Sequence, residues 1–146
     1  MKNREAITAN DITARILKEQ AIRFPGSRLF RRNVGTFYGV DVVRAARRTL
    51  VEGSPAAALA ILTRARPITC GLPGEPDCDG FVPVRVGGKL VGVRIGCEVK
   101  ITGDKLTVEQ ALYREMSREG GCIWIEARSP EQYFEELEDV LVRLKV

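Results

Sequence analysis

The chain has 146 residues, 45% of them hydrophobic and 29% charged, and a formal net charge of +4 at pH 7, which is typical of one soluble domain with its own core. No run of about 18 apolar residues is present, which argues against a membrane-spanning helix. The charged N-terminus also lacks the apolar region of a secretory signal. We therefore expect a single cytoplasmic domain over residues 1–146 without a membrane partner.

Histidine is absent, and the four cysteines are scattered along the chain without a Cys-x-x-Cys pair. This pattern argues against structural zinc, which favours closely spaced Cys and His ligands. It also removes the commonest general base, so acid–base chemistry would have to use carboxylate, lysine, tyrosine or metal-bound water.

The charge is distributed unevenly. Residues 1–69 carry thirteen Lys or Arg against five Asp or Glu, a net +8, whereas residues 70–146 carry ten against fourteen, a net −4. A basic half followed by an acidic half predicts a polyanion-binding face beside a cation-binding site. Solvent-exposed helix faces that happen to be basic would explain the charge alone equally well.

The first predicted element is a helix over residues 11–23, where isoleucine and leucine recur near helical spacing. Asn10 or Asp11 is the expected N-cap, and a Phe-Pro-Gly-Ser run ends the helix. Asp11 and Glu19 are candidate carboxylates for a metal site. Taken alone, each has a simpler interpretation, a helix cap for Asp11 and a solvent-facing charge for Glu19.

A short strand at Leu29-Phe30 and a loop over residues 33–39 are predicted next. This segment is rich in arginine, which presents a bidentate fork to phosphate, and in glycine, which lets backbone N–H groups approach an anion. The candidate DNA contacts are Arg31, Arg32, Asn33 and Gly35, together with Lys105 further along the chain.

Residues 41–66 predict two helices separated by Gly53-Ser54-Pro55, with the proline in the first turn of the second helix. This segment forms an insertion between the basic loop and the acidic half. The small alanines of residues 56–60 indicate close helix packing, either within the chain or against a second subunit.

From Ile68 the pattern changes to strand, and a turn-rich loop then delivers Asp77. Residues 81–86 and 90–101 predict a hairpin turned by Gly87-Gly88. Pro83 lacks an N–H group, so its strand is expected at an edge or a bulge.

The C-terminal third predicts a helix, a buried strand and a last helix. Thr107 and Gln110 match a capping box at the start of the first of these helices. The strand covers residues 122–127 and the last helix residues 130–144. The whole succession predicts an α/β domain with a mixed sheet flanked by helices.

The run Glu98-Val99-Lys100 carries the chemistry. Side chains at i and i+2 of a strand share a face, so Glu98 and Lys100 lie together while the Val99 carbonyl is left at the strand edge. If the hairpin brings Asp77 alongside, two carboxylates and one ammonium converge. Because Mg²⁺ prefers hard oxygen ligands and keeps several waters, Asp77, Glu98 and the Val99 carbonyl would be sufficient protein ligands for phosphodiester hydrolysis.

Lys100 and Gln110 complete the predicted site. Lys100 would orient or deprotonate the attacking water and stabilise negative charge, and Gln110, at a helix start, could bind the scissile phosphate or the water. An isolated Glu-x-Lys is more often a solvent-facing charge pair. The preceding Pro-Asp and the following glutamine favour a catalytic Glu-x-Lys over a solvent-facing charge pair.

This arrangement resembles the PD-(D/E)xK nuclease superfamily and, within it, the virus-type replication-repair (VRR-NUC) nuclease domain. The resemblance implies an αβββαβ core, Mg²⁺ or Mn²⁺ as cofactor, and DNA as substrate. Stand-alone phage-type members resemble Holliday-junction resolvases and act as homodimers on four-way or branched DNA, which implies a bacterial or phage-infected cell. The matching pieces are R-x-N-V-G from Arg31, G-L-P-G-x-x-D from Gly71, E-V-K from Glu98, L-x-x-x-Q from Leu106, and a closing G-G…R-S-x-E pattern from Gly120 to Glu131.

The chain departs from the family pattern in three places. The family often carries an acidic ligand on its N-terminal helix, for which Asp11 is nearest, with Glu19 and Glu5 as rivals. The segment of residues 41–66 is longer than the family's usual link between the N-V-G loop and the G-L-P-G turn. Asp79 is an extra acid, either a second metal contact or an exposed turn residue.

The sequence as a whole predicts a metal-dependent, structure-selective DNA endonuclease that acts as a homodimer. A non-catalytic DNA-binding or assembly module with the same fold is the alternative. A restriction-type enzyme is disfavoured, since no separate recognition domain is visible. The expected catalytic residues are Asp77, Glu98, Lys100 and Gln110.

Overall fold

A computed structural model describes residues 7–32 and 35–144. Within these ranges the chain forms five helices and two sheets. It divides into two compact units, the first holding the described residues up to Arg32 and from Pro73 onward, and the second holding those in between. The helices and the four-stranded mixed sheet of the first unit confirm the predicted α/β class.

The elements follow the predicted succession closely. In chain order the elements are α1 Ala9–Arg23, β1 Arg28–Arg31, β2 Gly35–Phe37, α2 Val40–Val51, α3 Pro55–Arg64, β3 Ile68–Cys70, β4 Cys78–Val86, β5 Lys89–Val99, α4 Val108–Glu119, β6 Ile123–Ala127 and α5 Pro130–Leu144. None of the helices in the described ranges has the length and apolar content needed to cross a membrane.

The sheet of the first unit has the strand order β1-β4-β5-β6. Neighbouring strands are antiparallel except β5 and β6, which run parallel. The β4–β5 hairpin turns at Gly87 and Gly88, whose φ angles of 56° and 79° suit a two-residue hairpin turn. Pairing with β1 stops at Phe81, so Pro83 lies where β4 is an edge strand, as predicted.

One face of this sheet, which we call the core face, is covered by α1 and α5. Strand residues such as Cys78, Ile95 and Cys97 pack there with Ile16 of α1 and the buried side chains of α5. The buried α5 side chains are Tyr133, Phe134, Leu137 and Leu141.

The opposite face carries Asp79, Gly96, Glu98 and Trp124, and we call it the α4 face. Helix α4 packs there through Tyr113, whose ring centroid lies 5.7 Å from that of Trp124. The apolar stripe of this helix, formed by Val108, Leu112 and Met116, does not make the contact, because these side chains are exposed.

The start of α1 differs from the expectation. The N-cap is Thr8, and Asp11 is the third helical residue of a capping box in which the Thr8 N–H donates to Asp11 Oδ2 at 2.9 Å. The prediction of Asn10 or Asp11 as N-cap is therefore wrong. Thr8 and Asp11 satisfy each other's backbone N–H groups, which a cap at either later position would leave unpaired.

The second unit holds the predicted helical insertion. Helices α2 and α3 pack on each other with Ala46 and Ala58 buried, consistent with the close packing expected of small residues. The predicted loop over residues 33–39 is wrong in part, because β2 lies within it and pairs antiparallel with β3.

Candidate active site

Three of the predicted catalytic residues meet on the α4 face. Lys100 Nζ lies 2.8 Å from Glu98 Oε1 and donates to Gln110 Oε1 at 2.9 Å. Gln110 Nε2 in turn donates to Glu98 Oε1. Glu98 and Lys100 share a face as the strand period predicts, and the first turn of α4 brings Gln110 to them.

Asp77 joins this network through backbone groups. The Val99 N–H donates to Asp77 Oδ2 at 2.9 Å, and the Asp77 N–H donates to Glu98 Oε2 at 3.2 Å. Each carboxylate is thus held by an N–H group from the segment that carries the other. Both are oriented by the protein itself, as a preorganised site requires.

The helix cap and the site share the side chain of Gln110. The Gln110 N–H donates to Thr107 Oγ1 at 3.2 Å, and the Thr107 N–H donates to Gln110 Oε1 at 2.9 Å. This reciprocal pair is the predicted capping box. It fixes the Gln110 rotamer before any substrate arrives, with Nε2 directed at Glu98.

Glycine and proline hold Asp77 beside β5. Gly74 has a φ of +86°, and a Cβ built there would lie 2.3 Å from the Glu109 carbonyl oxygen, so the loop touches the first turn of α4 directly. Pro76 is fully buried, and a Cβ at Gly96 would lie 3.1 Å from its ring. The G-x-P-D spacing therefore has a packing reason as well as a chemical one.

Of the predicted DNA contacts, Arg32 lies next to the site. Its backbone N–H donates to the Asp77 carbonyl at 2.7 Å, and its Nη2 lies 3.0 Å from both carboxylate oxygens of Glu75. The guanidinium is therefore already paired with an acid. Arg31, at the end of β1, donates to the side chain of Asn10.

The remaining predicted DNA contacts are distributed more widely. Lys105 is exposed in the loop between β5 and α4. Gly35 opens β2 in the second unit, and Asn33 lies outside the described residues.

The candidate N-terminal acids Asp11 and Glu19 form their hydrogen bonds and salt bridges with residues of α1 and its N-cap. Hydrogen bonds from the Thr8 side chain and backbone lower the pKa of Asp11, and Asp11 also lines a groove of about 650 Å³ with Ile101 and Thr102, which follow Lys100. Glu19 forms salt bridges with Arg15 and Arg23. Neither acid is hydrogen-bonded to the four network residues, and Glu5 lies outside the described part of the chain.

Asp79 is not a turn residue, because it lies within β4. Arg94 binds it with two parallel hydrogen bonds, Nε to Oδ1 at 3.0 Å and Nη2 to Oδ2 at 2.9 Å. The same guanidinium donates to the Tyr113 hydroxyl at 3.1 Å. These contacts neutralise Asp79 and connect it to α4.

Two residues that sequence reasoning did not assign adjoin the network. Glu126 of β6 pairs in register with Glu98, so the two acids share the α4 face. Arg128 donates to the Glu126 carboxylate at 2.7 Å and to the carbonyls of Ile101 and Asp104 at 2.9 Å each. It thereby ties the loop that follows Lys100 to the end of β6.

Glu98 is only 2% exposed. Burial raises its pKa above the usual 4.5 and the negative charge of Asp77 adds to this effect, whereas the hydrogen bond and charge of Lys100 oppose it. The buried carboxylate thus faces an acid on one side and an ammonium on the other. A cation bound between Asp77 and Glu98 would relieve the repulsion between them.

The raised pKa predicts an unusual pH dependence of stability. A carboxyl whose folded pKa is raised contributes stability that is fully present below its unfolded pKa and is lost as the pH rises through its folded pKa. The Glu98→Gln variant lacks this loss, so its free energy of unfolding should improve relative to wild type over the pH range that extends upward from 4.5. Urea unfolding in EDTA across that range measures it.

The exposed Glu135 of α5 supplies the matched control. Glu135→Gln should follow the wild-type pH dependence throughout the same range. Parallel curves for Glu98→Gln and wild type would contradict the assigned raised pKa. Carboxylates with lowered pKa, such as Asp11 and Glu19, act in the opposite direction and at lower pH.

The donor set fits a hard divalent cation. Among the described residues no group of three or more His, Cys, Asp or Glu is placed to hold a metal. The carboxylates that belong to the hydrogen-bonded network are those of Asp77 and Glu98. Mg²⁺ commonly binds to one or two protein carboxylates and completes its shell with water and substrate phosphate. The site offers oxygen ligands of that kind.

Comparison with known proteins adds no relative: neither a protein-family model, nor a curated protein, nor a solved structure matches this chain. A functional assignment therefore depends on the geometry of Asp77, Glu98, Lys100 and Gln110 and on the chemistry available to them.

Proposed function

We propose that this protein is a metal-dependent, structure-selective DNA endonuclease that hydrolyses phosphodiester bonds in branched DNA such as four-way junctions. The observation that carries the proposal is the buried Glu98 carboxylate bound by Lys100 and Gln110 and linked to Asp77. The order α1, β1, β4, β5, α4, β6 in the first unit supports a PD-(D/E)xK-type αβββαβ core.

Asp77 and Glu98 would hold Mg²⁺ or Mn²⁺, with the Val99 carbonyl as a further protein ligand. When bound, the metal supplies Lewis-acid stabilisation of the charge that develops on the phosphate. The protein contributes two oriented carboxylates, since backbone N–H groups fix both of them.

Lys100 supplies a positive charge beside that position. Its side chain is 12% exposed, so its ammonium is poorly screened by water. An ammonium has three N–H donors, and two of them are directed at Glu98 and Gln110. The third is available for a phosphate oxygen or the attacking water, where it stabilises charge in the transition state.

Gln110 orients the reacting groups. Its Oε1 accepts hydrogen bonds from Lys100 and Thr107, and its Nε2 donates to Glu98. Rotation of the Lys100 ammonium away from Glu98 would break its contacts with both Glu98 and Gln110. Gln110 therefore limits the directions in which the ammonium can point.

The proposed enzyme is a homodimer, which would place two active sites on opposing strands of a junction. Exposed apolar side chains on α2 and α3, including Val43, Leu50 and Leu59, support a subunit contact through the second unit. The molar mass in solution tests the dimer separately from the chemistry.

Cleavage of a four-way junction tests the function. With each strand labelled in turn, we expect cuts in Mg²⁺ or Mn²⁺ and none in EDTA. Asp77→Asn should abolish cleavage but retain junction binding in EDTA, because it keeps the side-chain volume and removes the carboxylate. Asp139→Asn, at an exposed position of α5, is the control and should cut like wild type.

Absence of cleavage of every branched DNA tested, a four-way junction and a splayed-arm substrate, with either metal would refute the endonuclease proposal. Equal cleavage by Asp77→Asn and wild type would also refute it. Tight junction binding that needs no metal, with function surviving in Asp77→Ala, would instead favour the non-catalytic DNA-binding module. Product mapping on both strands also reports whether the two cuts are symmetric.

A further inference from the structure

Part of the α4 face is not covered by α4. Because the strands pair without interruption, directly paired residues lie on the same face of the sheet. Phe30 pairs with Asp79, and Phe81 pairs with Arg28 on one side and Arg94 on the other. We call the exposed members of this region the outer strip: Arg28, Phe30, Phe81, Arg85 and Leu90.

Two aromatic rings of the outer strip are open to solvent. Phe30 is 58% exposed and Phe81 is 43% exposed. They occupy diagonal positions on neighbouring strands, a spacing of about 7–8 Å. Solvent-exposed phenylalanine rings on neighbouring strands mark a surface for a ligand with flat, apolar faces.

The charge of the outer strip favours an anionic ligand. The guanidinium of Arg28 donates to the Ser27 carbonyl and that of Arg85 to the Gly88 carbonyl, and within residues 7–32 and 35–144 neither forms a salt bridge. Asp79, the acid on this part of the face, is neutralised by Arg94. Aromatic rings between unpaired arginines are the combination that binds unpaired nucleic-acid strands, with bases stacked and phosphates held.

The outer strip lies on the same face of the sheet as the candidate active site. Asp79 and Glu98 lie on the same face, and Asp77 comes two residues before Asp79. An unpaired DNA strand bound over Phe81 and Phe30 would therefore approach Asp77 and Glu98 along the face that carries the site.

We propose that the outer strip binds an unpaired DNA strand, with Phe30 and Phe81 stacked on bases and Arg28 and Arg85 at phosphates. This proposal rests on the proposed endonuclease function and specifies its substrate. The preferred branched DNA carries an unpaired strand beside the cut, such as a splayed arm, rather than fully paired arms. A second copy of the chain is the rival occupant.

A tryptophan reporter tests the stacking directly. The only native tryptophan, Trp124, is buried, so a Phe30→Trp variant adds a single exposed indole. We expect an unpaired oligodeoxynucleotide, titrated in EDTA, to quench the added fluorescence, and a blunt duplex at equal phosphate concentration to leave it nearly unchanged. Equal quenching by both ligands would overturn the proposal.

Affinity measurements supply the second arm. Phe30→Leu and Phe81→Leu keep an apolar side chain but lose the ring face, so each should weaken binding of the unpaired oligonucleotide by about tenfold with little effect on the duplex. Ile22→Ala and Val142→Ala alter exposed apolar residues of α1 and α5 and are the matched controls. Salt is kept fixed, since phosphate contacts are salt-dependent.

The outcomes separate the two proposals. Unchanged affinity for the unpaired oligonucleotide in both Phe→Leu variants would overturn the proposal that the outer strip binds DNA. Variants that change the molar mass of the protein in solution but not its affinity for DNA would also overturn it, in favour of a second copy of the chain. A chain that binds the unpaired strand through Phe30 but cuts no branched DNA would refute only the endonuclease. Cleavage that is insensitive to Phe30→Leu and Phe81→Leu would refute only the outer strip.

Discussion

Replacement of Lys100 by alanine should slow the single-turnover cleavage of branched DNA by about 10²- to 10⁴-fold, the range for removing a group that transfers a proton or stabilises transition-state charge. Lys100 is the only ammonium in contact with Glu98 in the described part of the chain. Its third N–H donor would act mainly in the transition state. The rate should therefore fall much more than the affinity for DNA.

A second variant separates chemistry from stability. Lys100→Ala leaves the buried Glu98 without its counter-charge, which by itself destabilises the fold. Lys100→Met keeps most of the aliphatic stem while removing the charge, and should be as slow as Lys100→Ala. Both are assayed below their unfolding temperatures with saturating enzyme, so that neither unfolding nor binding limits the rate.

Lys105→Ala provides the contrast. Lys105 is exposed in the loop before α4 and is predicted to contact DNA rather than the reacting atoms. Its loss should weaken binding and leave the single-turnover rate at saturation close to wild type. Equal single-turnover cleavage rates for Lys100→Ala and Lys105→Ala would show that Lys100 is not a catalytic residue.

The parts of the site that the sequence predicted depend on short-range rules. Glu98 and Lys100 lie together because strand side chains alternate with a period of two residues, and Gln110 is fixed by a capping box that spans four residues. The two-glycine turn of the hairpin brings Asp77 close to Glu98. None of these features needs knowledge of distant partners.

The parts that it missed depend on pairing between distant segments. The parallel register of β5 with β6 places Glu126 beside Glu98, and nothing local to either strand encodes that register. Strand β2 has three residues, too few for a periodic signal, and it forms against β3 more than thirty residues later. The exposed stripe of α4 shows the same limit, since periodicity identifies an apolar face but not its partner.

Gly74→Ala should both destabilise the protein and impair cleavage. At a φ of +86° any Cβ is strained, and here it would also lie 2.3 Å from the Glu109 carbonyl oxygen and 3.0 Å from the Gln110 nitrogen. The strain of the left-handed conformation is about 1–2 kcal/mol, and overpacking adds about 1–3 kcal/mol. We expect a loss of roughly 2–5 kcal/mol in the free energy of unfolding, measured in urea.

Gly53→Ala is the matched control, because Gly53 has a φ of +80° and no atom within 4 Å of its Cβ position. It should lose only the conformational part, about 1–2 kcal/mol, and cut DNA normally. Relief of the clash at Gly74 must move the Asp77 loop away from the first turn of α4, and a displacement near 1 Å can reduce an enzyme's rate by about 10²-fold. Equal effects of Gly74→Ala and Gly53→Ala on unfolding and cleavage would show that Gly74 is needed only for the turn. A cleavage defect confined to Gly74→Ala would show that the contact between this loop and α4 sets the spacing of Asp77 and Gln110.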